Sequence, residues 1–480
     1  MKRRSTLSSG TLLLALALPA QSESLLEIYQ QALQSDPLVR EAEANRLASE
    51  EALPQARGVL FPQLSAQGSY SDSTRDGNNV FTQRVPDGMG GETVQVISSA
   101  TDQESTTTQW QIDLTQTLFR WDQFVGLKQA GKRVAQAAAN YEAAQQDLIV
   151  RVAERYFEVL AGQDSLAAAQ ASKRSIARQL DQAQQRFDVG LIAITDVQES
   201  QAAYDQAIAD EIGAKRSLAR AKEFLREITG SYSSDLDAPK KGLPMIMPEP
   251  ADADQWVQTA IDQNLSLQAS RLNAELAKAE IRSRRGGHYP TLDLFARVSD
   301  SDSDATRAEN GGAFQPADNT QGGETIGIQL NVPIFSGGVQ SSRVREAVYQ
   351  HRAAREQLQR VARETERQAR DAYLGVESDI ARVNALSRSL QSSQTALEAT
   401  EAGLEVGTRT TVDVLDAQRN LFNAYTSLER ARYDYLLNIL RLKQAAGILR
   451  VQDLESIEAW LVERPENAIP QGIKPPAAES

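Results

Sequence analysis

The sequence predicts an α+β membrane protein that combines very long coiled-coil helices with a few membrane-length β-strands. Two patterns support this fold class. Two Pro-free helical stretches run for roughly 65 residues each, and four short runs alternate apolar and polar residues. A third observation is that both patterns recur in the same order in the two halves of the 480-residue chain, which indicates an internal tandem duplication.

The first 22 residues have the pattern of a secretory signal peptide. A basic segment, Lys2–Arg4, precedes an apolar run over Thr11–Leu18, and Ala20 and Ser22 have the spacing of a cleavage site before Glu23. The run is too short for the roughly 20 residues of a spanning helix, and a buried N-terminal helix is the alternative. No long apolar stretch follows, so the mature chain is expected to contact a bilayer only through β-strands.

Composition argues against several functional classes. The formal net charge is -13 without a concentrated basic stripe, which disfavours a nucleic-acid partner. The chain has no cysteine and only two histidines, His288 and His351, which lie in different segments. Catalytic clusters and transition-metal sites are therefore hard to build, and neither an enzyme activity nor a cofactor is expected.

The two halves of the chain align along much of their length. Residues 36–73 match 264–301 without a gap. Further along the chain the two halves again match at a constant offset, which places Gly190 on Gly407. The predicted organisation is a signal peptide over 1–22, a first repeat over 23–238, a linker over 239–252, a second repeat over 253–449, and a C-terminal helix with a disordered tail over 450–480.

The alternating runs predict strands near 62–73, 106–118, 290–301 and 324–334. Each is close to the roughly 10 residues of a strand that crosses a bilayer, with one apolar and one polar face. The polar segments 74–105 and 302–323 are predicted to be exposed hairpin loops. A soluble sheet packed on the helices is the alternative. Four strands cannot close a barrel, which usually needs about 8, so an exported homo-oligomer is predicted.

The long helices are predicted near 122–188, 195–230, 338–404 and 411–447. Apolar residues recur every seven positions, as in Leu127, Val134, Tyr141 and Leu148, and this period predicts coiled-coil packing. A helix of about 65 residues is on the order of 100 Å long. An ordinary helical bundle is the alternative, but it does not account for rods of this length.

Several segments resemble the TolC family of outer-membrane channel-tunnel proteins. The most specific are RFDVGLIAITDVQES at 186–200 and EVGTRTTVDVLDAQRN at 405–420, and NVPIFSGG at 331–338 is a third. The resemblance implies a homotrimer whose four strands per copy form a 12-stranded β-barrel above a periplasmic α-helical barrel. It also implies an exit duct for multidrug efflux or type I protein secretion in a Gram-negative outer membrane. A periplasmic coiled-coil scaffold that never inserts is the alternative function.

The resemblance also implies a gate at the tip between the long helices. Arg409 matches the arginine that links the two helix pairs of family members, with Thr195 and Asp196 as expected partners. Both partners are also candidate N-caps of the helix that follows Gly190. Leu404 stands where the family carries a tyrosine, so the latch is expected to depend mainly on Arg409.

Two acids and two turns complete the predicted tip. Asp413 and Asp416 are three residues apart on a helix, so three chains would place six carboxylates in a ring that favours multivalent cations. Surface helix acids are the alternative. The resemblance implies that a periplasmic adaptor protein, linked to an inner-membrane pump of the RND or ABC type, docks at the turns. The docking residues are Val189, Gly190, Leu191, Val406, Gly407 and Thr408. Alternatively, the glycines merely end their helices.

Overall fold

A computed structural model describes residues 23–86, 92–233, 235–240, 242–310 and 312–462. The predicted signal peptide and the tail beyond Val462 lie outside these residues. The chain divides into two compact units. Among the described residues, the helical unit comprises 23–46, Ala137–Ser270 and 357–462, and the strand-bearing unit comprises Leu47–Gln136 and Arg271–Glu356.

Helices account for most of the described chain. Their bounds are α1 Leu25–Ser35, α2 Pro37–Glu50, α3 Ala52–Gly58, α4 Trp121–Asp188, α5 Ile194–Thr229, α6 Ala253–Gln263, α7 Leu265–Gly286, α8 Val339–Glu405, α9 Thr411–Ala445 and α10 Val451–Glu458. At 1.5 Å per residue, the 68 residues of α4 correspond to about 100 Å of helix. Within the described ranges, no helix is both long and apolar enough to cross a membrane.

The core of the helical unit lies where α1, α4, α5, α9 and α10 meet. Leu25, Leu160 and Leu440 have no exposed surface there. Two tyrosines bring their hydroxyls to backbone oxygens: Tyr156 donates to Asp237 at 2.8 Å and Tyr435 donates to Ile246 at 2.9 Å. Buried phenol groups need such partners, so these bonds hold the segment between α5 and α6 against the long helices.

An ion-pair cluster joins α4 to α5 away from this core. Lys173 of α4 and Lys215 of α5 each place Nζ 2.7 Å from a carboxylate oxygen of Glu211, which is only 7% exposed. The hydrogen bonds from Lys173 and then Lys215 lower the pKa of Glu211 to about 2. This carboxylate is therefore ionised at neutral pH.

The strand-bearing unit contains one antiparallel sheet. Its strands are β1 Gln63–Pro86, β2 Glu92–Phe119, β4 Thr291–Glu309, β5 Gln315–Pro316 and β6 Asn319–Asn331. A separate two-stranded sheet in the helical unit pairs β3 Ala238–Pro239 with β7 Leu461–Val462. In the large sheet β2 pairs with β1 and with β4, and β4 pairs with β6 and the short β5. β1 and β6 are therefore its two outer long strands.

The segments predicted as hairpin loops are largely strand, so that part of the prediction was wrong. β1 and β2 stay paired from Gln63 with Thr115 as far as Pro86 with Glu92, which covers most of 74–105. β4 and β6 likewise extend into 302–323. The physical reason is that Ser, Thr and Gln side chains suit an exposed strand as well as a loop, and the interspersed Val, Phe and Thr favour strand.

The strand register gives the large sheet two chemically different faces. Leu64, Leu114, Ala296 and Ile326 share one row across the four strands. We call this side the apolar face; Leu64 is 71% and Ile326 79% exposed in the single chain. The next row carries Ser65, Asp113, Arg297 and Thr325, and we call this side the polar face. Arg297 pairs there with Asp113 at 2.5 Å.

Candidate functional site

The predicted tip residues lie in and around two matching turns. One turn joins α4 to α5 and the other joins α8 to α9. Gly190 and Gly407 both have φ of 79°, a left-handed conformation that glycine adopts without steric cost. Leu191 N donates to Arg186 O at 2.8 Å, and Thr408 N donates to Gly403 O at 2.8 Å. Both long helices thus end in the same glycine-dependent motif.

The helix that follows the second turn begins with a capping box. Thr410 is the N-cap of α9, and its hydroxyl accepts from Asp413 N at 3.3 Å. In return, the Asp413 carboxylate accepts from Thr410 N at 2.8 Å and from the Thr410 hydroxyl at 2.9 Å. These bonds, the backbone one first, hold the pKa of Asp413 below its ordinary value. Asp413 is therefore engaged at the start of its own helix.

The first turn lacks this capping box, and the prediction that Thr195 or Asp196 caps α5 was wrong. The N-cap is Ala193, which has an extended backbone and no side chain to accept a hydrogen bond, while Thr195 and Asp196 already lie in the first helical turn. Ala193 and Thr410 are matching positions in the two halves of the chain, and so are Asp196 and Asp413. Asp196 thus occupies the same helical position without a hydroxyl partner at the N-cap.

A cavity of about 590 Å³ lies between the two turns and brings most of the predicted gate residues together. Asp196, Leu404 and Arg409 all line it. Within the described residues of this single chain, no ion pair joins Arg409 to Asp196 within 4 Å. Thr195 is exposed. The fold thus places both members of the predicted latch at one cavity without pairing them.

Sequence reasoning missed Arg186, which lines the same cavity. Its only signal was its place at the start of the RFDVG motif, directly before the turn. Arg186 and Arg409 give the cavity lining two basic residues, and Asp196 and Glu405 give it two acidic ones. The cavity wall is therefore polar and of mixed charge.

Sequence reasoning also missed a pair formed by Glu401 of α8 and Gln418 of α9, close to the turn between these helices. Gln418 is 3% exposed and donates its side-chain amide to Glu401, whose pKa is raised mainly by burial. Gln418 Oε1 is buried and has no hydrogen-bond partner among the described residues. This pair was missed because an amide on an otherwise apolar helix stripe gives no distinctive pattern in sequence.

Asp413 and Asp416 do not face one another in the single chain. Asp416 is exposed and pairs with Arg419 at 3.2 Å, and Asp413 bonds to Thr410. In the part of the chain that the structure describes, no group of three or more acids or histidines could hold a metal ion. A cation ring needs carboxylates from several copies and stays a prediction.

The predicted docking turns expose apolar side chains. Val189, Leu191 and Val406 are 71%, 74% and 75% exposed, and Gly190, Gly407 and Thr408 beside them are exposed too. Apolar side chains clustered on an otherwise polar surface are typical of a protein-binding site. The turns thus have the surface that an adaptor would need.

Comparison with known proteins identifies the family. The model of the family "Outer membrane efflux protein" matches residues 28–231 and 256–448. The chain is 38% identical over 461 residues to Outer membrane protein TolC of Escherichia coli, covering 94% of this chain and 88% of that protein. It is 29% identical over 464 residues to the alkaline protease secretion protein AprF of Pseudomonas aeruginosa, covering 96% and 92%.

Solved structures share the fold at low sequence identity. The Campylobacter jejuni CmeC outer membrane channel superposes with a TM-score of 0.68 at 15% identity, over 95% of this chain and 97% of that one. The outer membrane protein VceC from Vibrio cholerae gives 0.66 at 18% identity, over 88% and 96%.

The chain belongs to the outer membrane efflux protein family. This confirms the resemblance to the TolC family and places the protein in the outer membrane of a Gram-negative bacterium. The named relatives are channel and secretion proteins rather than enzymes, and they do not favour the alternative of a periplasmic scaffold that never inserts.

Proposed function

We propose that three copies of this chain form the exit duct of a tripartite pump, with a 12-stranded β-barrel in the outer membrane and an α-helical tunnel beneath it. The observation that carries this proposal is the apolar face of the large sheet, which is exposed in the single chain. Apolar rows of this kind are stable against lipid, and the polar face then lines the lumen.

The sheet edges support assembly from several copies. β1 and β6 each have one side without a partner strand within the described sheet. Inside a bilayer an open edge leaves backbone groups without hydrogen bonds, so the sheet has to close on itself. Pairing β1 of one copy with β6 of the next removes both open edges of the four-strand part of the sheet. The number three comes from the family, since three sets of four long strands make twelve.

The two halves of the chain are proposed to be copies of one ancestral unit. Gly190 and Gly407 end matching helices with the same positive φ, and Gly230 and Gly447 do so at the same spacing further on. Each half thus supplies a pair of long helices, which suits a tunnel wall built from equivalent pairs.

The tip cavity is the proposed gate. Asp196 has no hydroxyl at its N-cap, and it lines the same cavity as Arg409, so its carboxylate is available to the arginine fork. Leu404 in that cavity has no hydroxyl to add a further link. The closed state then depends mainly on Arg409, with Thr195 as its second partner. Asp413 and Asp416 from three copies form the cation-attracting ring next to it.

The partners follow from the same tip. A periplasmic adaptor is proposed to dock on the exposed Val189, Leu191 and Val406, beside their glycines, and to couple the duct to an RND or ABC pump in the inner membrane. Relatives named for efflux and for protease secretion support cargo of both kinds, small molecules and proteins.

Planar-bilayer recording of purified trimers tests the duct and the gate together. We expect a small cation-selective conductance for the unaltered protein and a severalfold larger one for Arg409→Ser, because the latch is then lost. Arg388→Ser removes the same charge from an exposed position of α8 and should leave conductance unchanged. Trimers without any conductance would contradict the duct, and equal closed-state conductance in Arg409→Ser would contradict the gate alone.

A further inference from the structure

The pairing of β1 with β2 continues beyond the rest of the large sheet. β4 ends at Glu309, opposite Thr101. Asn310, with φ of 52°, then closes this corner: its N donates to Ala100 O at 2.7 Å, and its Oδ1 accepts from Ala100 N at 3.0 Å. From here on, among the residues that the structure describes, β1 and β2 pair only with each other. We call residues 78–86 and 92–100 the ribbon.

The ribbon exposes more apolar side chains, and carries fewer charges, than is usual for strands that contact only water. Its only charged residues are Arg84 and Glu92, which face each other at 3.8 Å. Val80, Phe81 and Val96 are 66%, 50% and 65% exposed. A lone two-stranded ribbon is at best marginally stable in water, and exposed apolar strands of low charge readily associate. A surface of this kind therefore indicates a contact that is absent from the single chain.

One apolar pair in the ribbon lies on the unexpected side. Phe81 pairs directly with Ile97. Because side chains alternate along a strand, both project on the polar face, the side that carries Ser65 and Asp113 further down. Val80 and Val96 project on the apolar face instead. Phe81 and Ile97 are thus an apolar patch at the far end of a face made mostly of hydroxyl, amide and charged groups, on which Val85 and Phe295 are further apolar side chains.

The ribbon is long enough to bring this patch to the axis of the proposed trimer. Phe81 and Ile97 lie four rows beyond Gly77 and Thr101, the last row that β4 also joins, so the patch reaches about 14 Å past that row at roughly 3.4 Å per residue. A 12-stranded barrel with strands about 4.8 Å apart and tilted by about 40° has a radius of about 12 Å. Each ribbon can therefore bend inward over the mouth and meet the ribbons of the other two copies.

We propose that the three ribbons cover the outer mouth of the duct and pack on one another through Phe81 and Ile97. This inference rests on the proposed trimer. Three properties identify the other copies as the occupant. The patch continues the lumen-facing side, and every copy carries it at the same height. The two charges of the ribbon, Arg84 and Glu92, pair with each other, so the ribbon has no net charge to attract a charged partner. Such a cover would limit entry of large molecules from outside.

The chain has no cysteine, so single cysteines provide a clean test. Phe81→Cys should form a disulfide between copies when intact cells are oxidised, because thiols near the axis come within the Cα distance of about 4.4–6.8 Å that the bond needs. The matched control is Thr82→Cys, one residue away on the opposite face. We expect at least tenfold more linked dimer, on non-reducing gels, for Phe81→Cys than for Thr82→Cys.

A second measurement separates contact between the copies from cover of the patch by another molecule. A bulky membrane-impermeant maleimide should label Phe81→Cys at least tenfold more slowly than Thr82→Cys on intact cells. Equal labelling of both positions would overturn the proposal. Slow labelling of Phe81→Cys without any linked dimer would overturn it too, because another molecule would then cover the patch. Native size in detergent is measured for both variants: loss of the trimer would contradict the proposed function, whereas intact trimers with these negative results contradict only the ribbon contact.

Discussion

The N-cap of α9 permits a prediction whose size follows from the structure. Thr410→Ala removes the hydroxyl that accepts from Asp413 N at 3.3 Å and donates to its carboxylate at 2.9 Å. Loss of a Ser or Thr N-cap typically costs about 1 kcal/mol. Since 1.4 kcal/mol corresponds to a factor of ten, the first turn of α9 should open about fivefold more often.

The chain offers the reciprocal change at the matching position. Ala193→Thr supplies the hydroxyl that the first turn lacks, with Asp196 already at the position where Asp413 stands in the second. We expect the start of α5 to open about fivefold less often, by the same argument. Because Asp196 then bonds to its own N-cap, the proposed latch with Arg409 should weaken and closed-state conductance should rise.

Hydrogen–deuterium exchange of the purified protein at neutral pH measures both effects. Exchange should accelerate at residues 411–414 in Thr410→Ala and slow at 194–197 in Ala193→Thr, with the other turn unchanged in each. The pKa of Asp413 is lowered by these bonds, so the capping contribution is present above the ordinary value of 3.8 and is lost as pH falls through the lowered one. Unaltered exchange at 411–414 in Thr410→Ala would refute the reasoning.

Three further predictions concern stability, measured as the thermal unfolding midpoint in detergent. Glu211→Gln should lower the midpoint at neutral pH and make its fall with acid smaller, because the stability from this carboxylate with a lowered pKa is present above 4.5 and lost as pH falls through about 2; equal acid profiles would contradict this. Asp379→Asn should raise the midpoint more at pH 8 than at pH 4. Burial raises the pKa of Asp379, so the folded protein loses stability as pH rises through that pKa, and asparagine avoids this loss. A lower midpoint for the variant at pH 8 would argue against this reasoning. Leu440→Ala, at a site without exposed surface, should lower the free energy of unfolding by about 2–5 kcal/mol, and the control Leu440→Met by less than about 1.5 kcal/mol. Similar midpoints for the two variants would contradict this, because the surrounding side chains would then fill the space left by the leucine.

Local features of the candidate site were readable from sequence, and partnerships across the fold were not. Gly190 and Gly407 stand out because a left-handed helix end depends on one residue type at one position. The pairing of Glu401 with Gln418, by contrast, joins residues of different helices. The N-cap at Ala193 was missed because Thr195 and Asp196 are stronger cap formers, and propensity does not locate a helix boundary to within two residues.

The sequence by itself determined the periods of the chain: seven-residue spacing in the long helices and two-residue alternation in the strands. These follow from backbone geometry, which acts between neighbours in sequence. Only the tertiary structure decided where strands end and which rows face together. The polar segment 74–105 suits a loop or an exposed strand equally, and the pairing of β1 with β2 inside it settles the matter. The placement of Phe81 opposite Ile97, and of Arg409 and Asp196 at one cavity, likewise depends on contacts between distant segments, which no local pattern encodes.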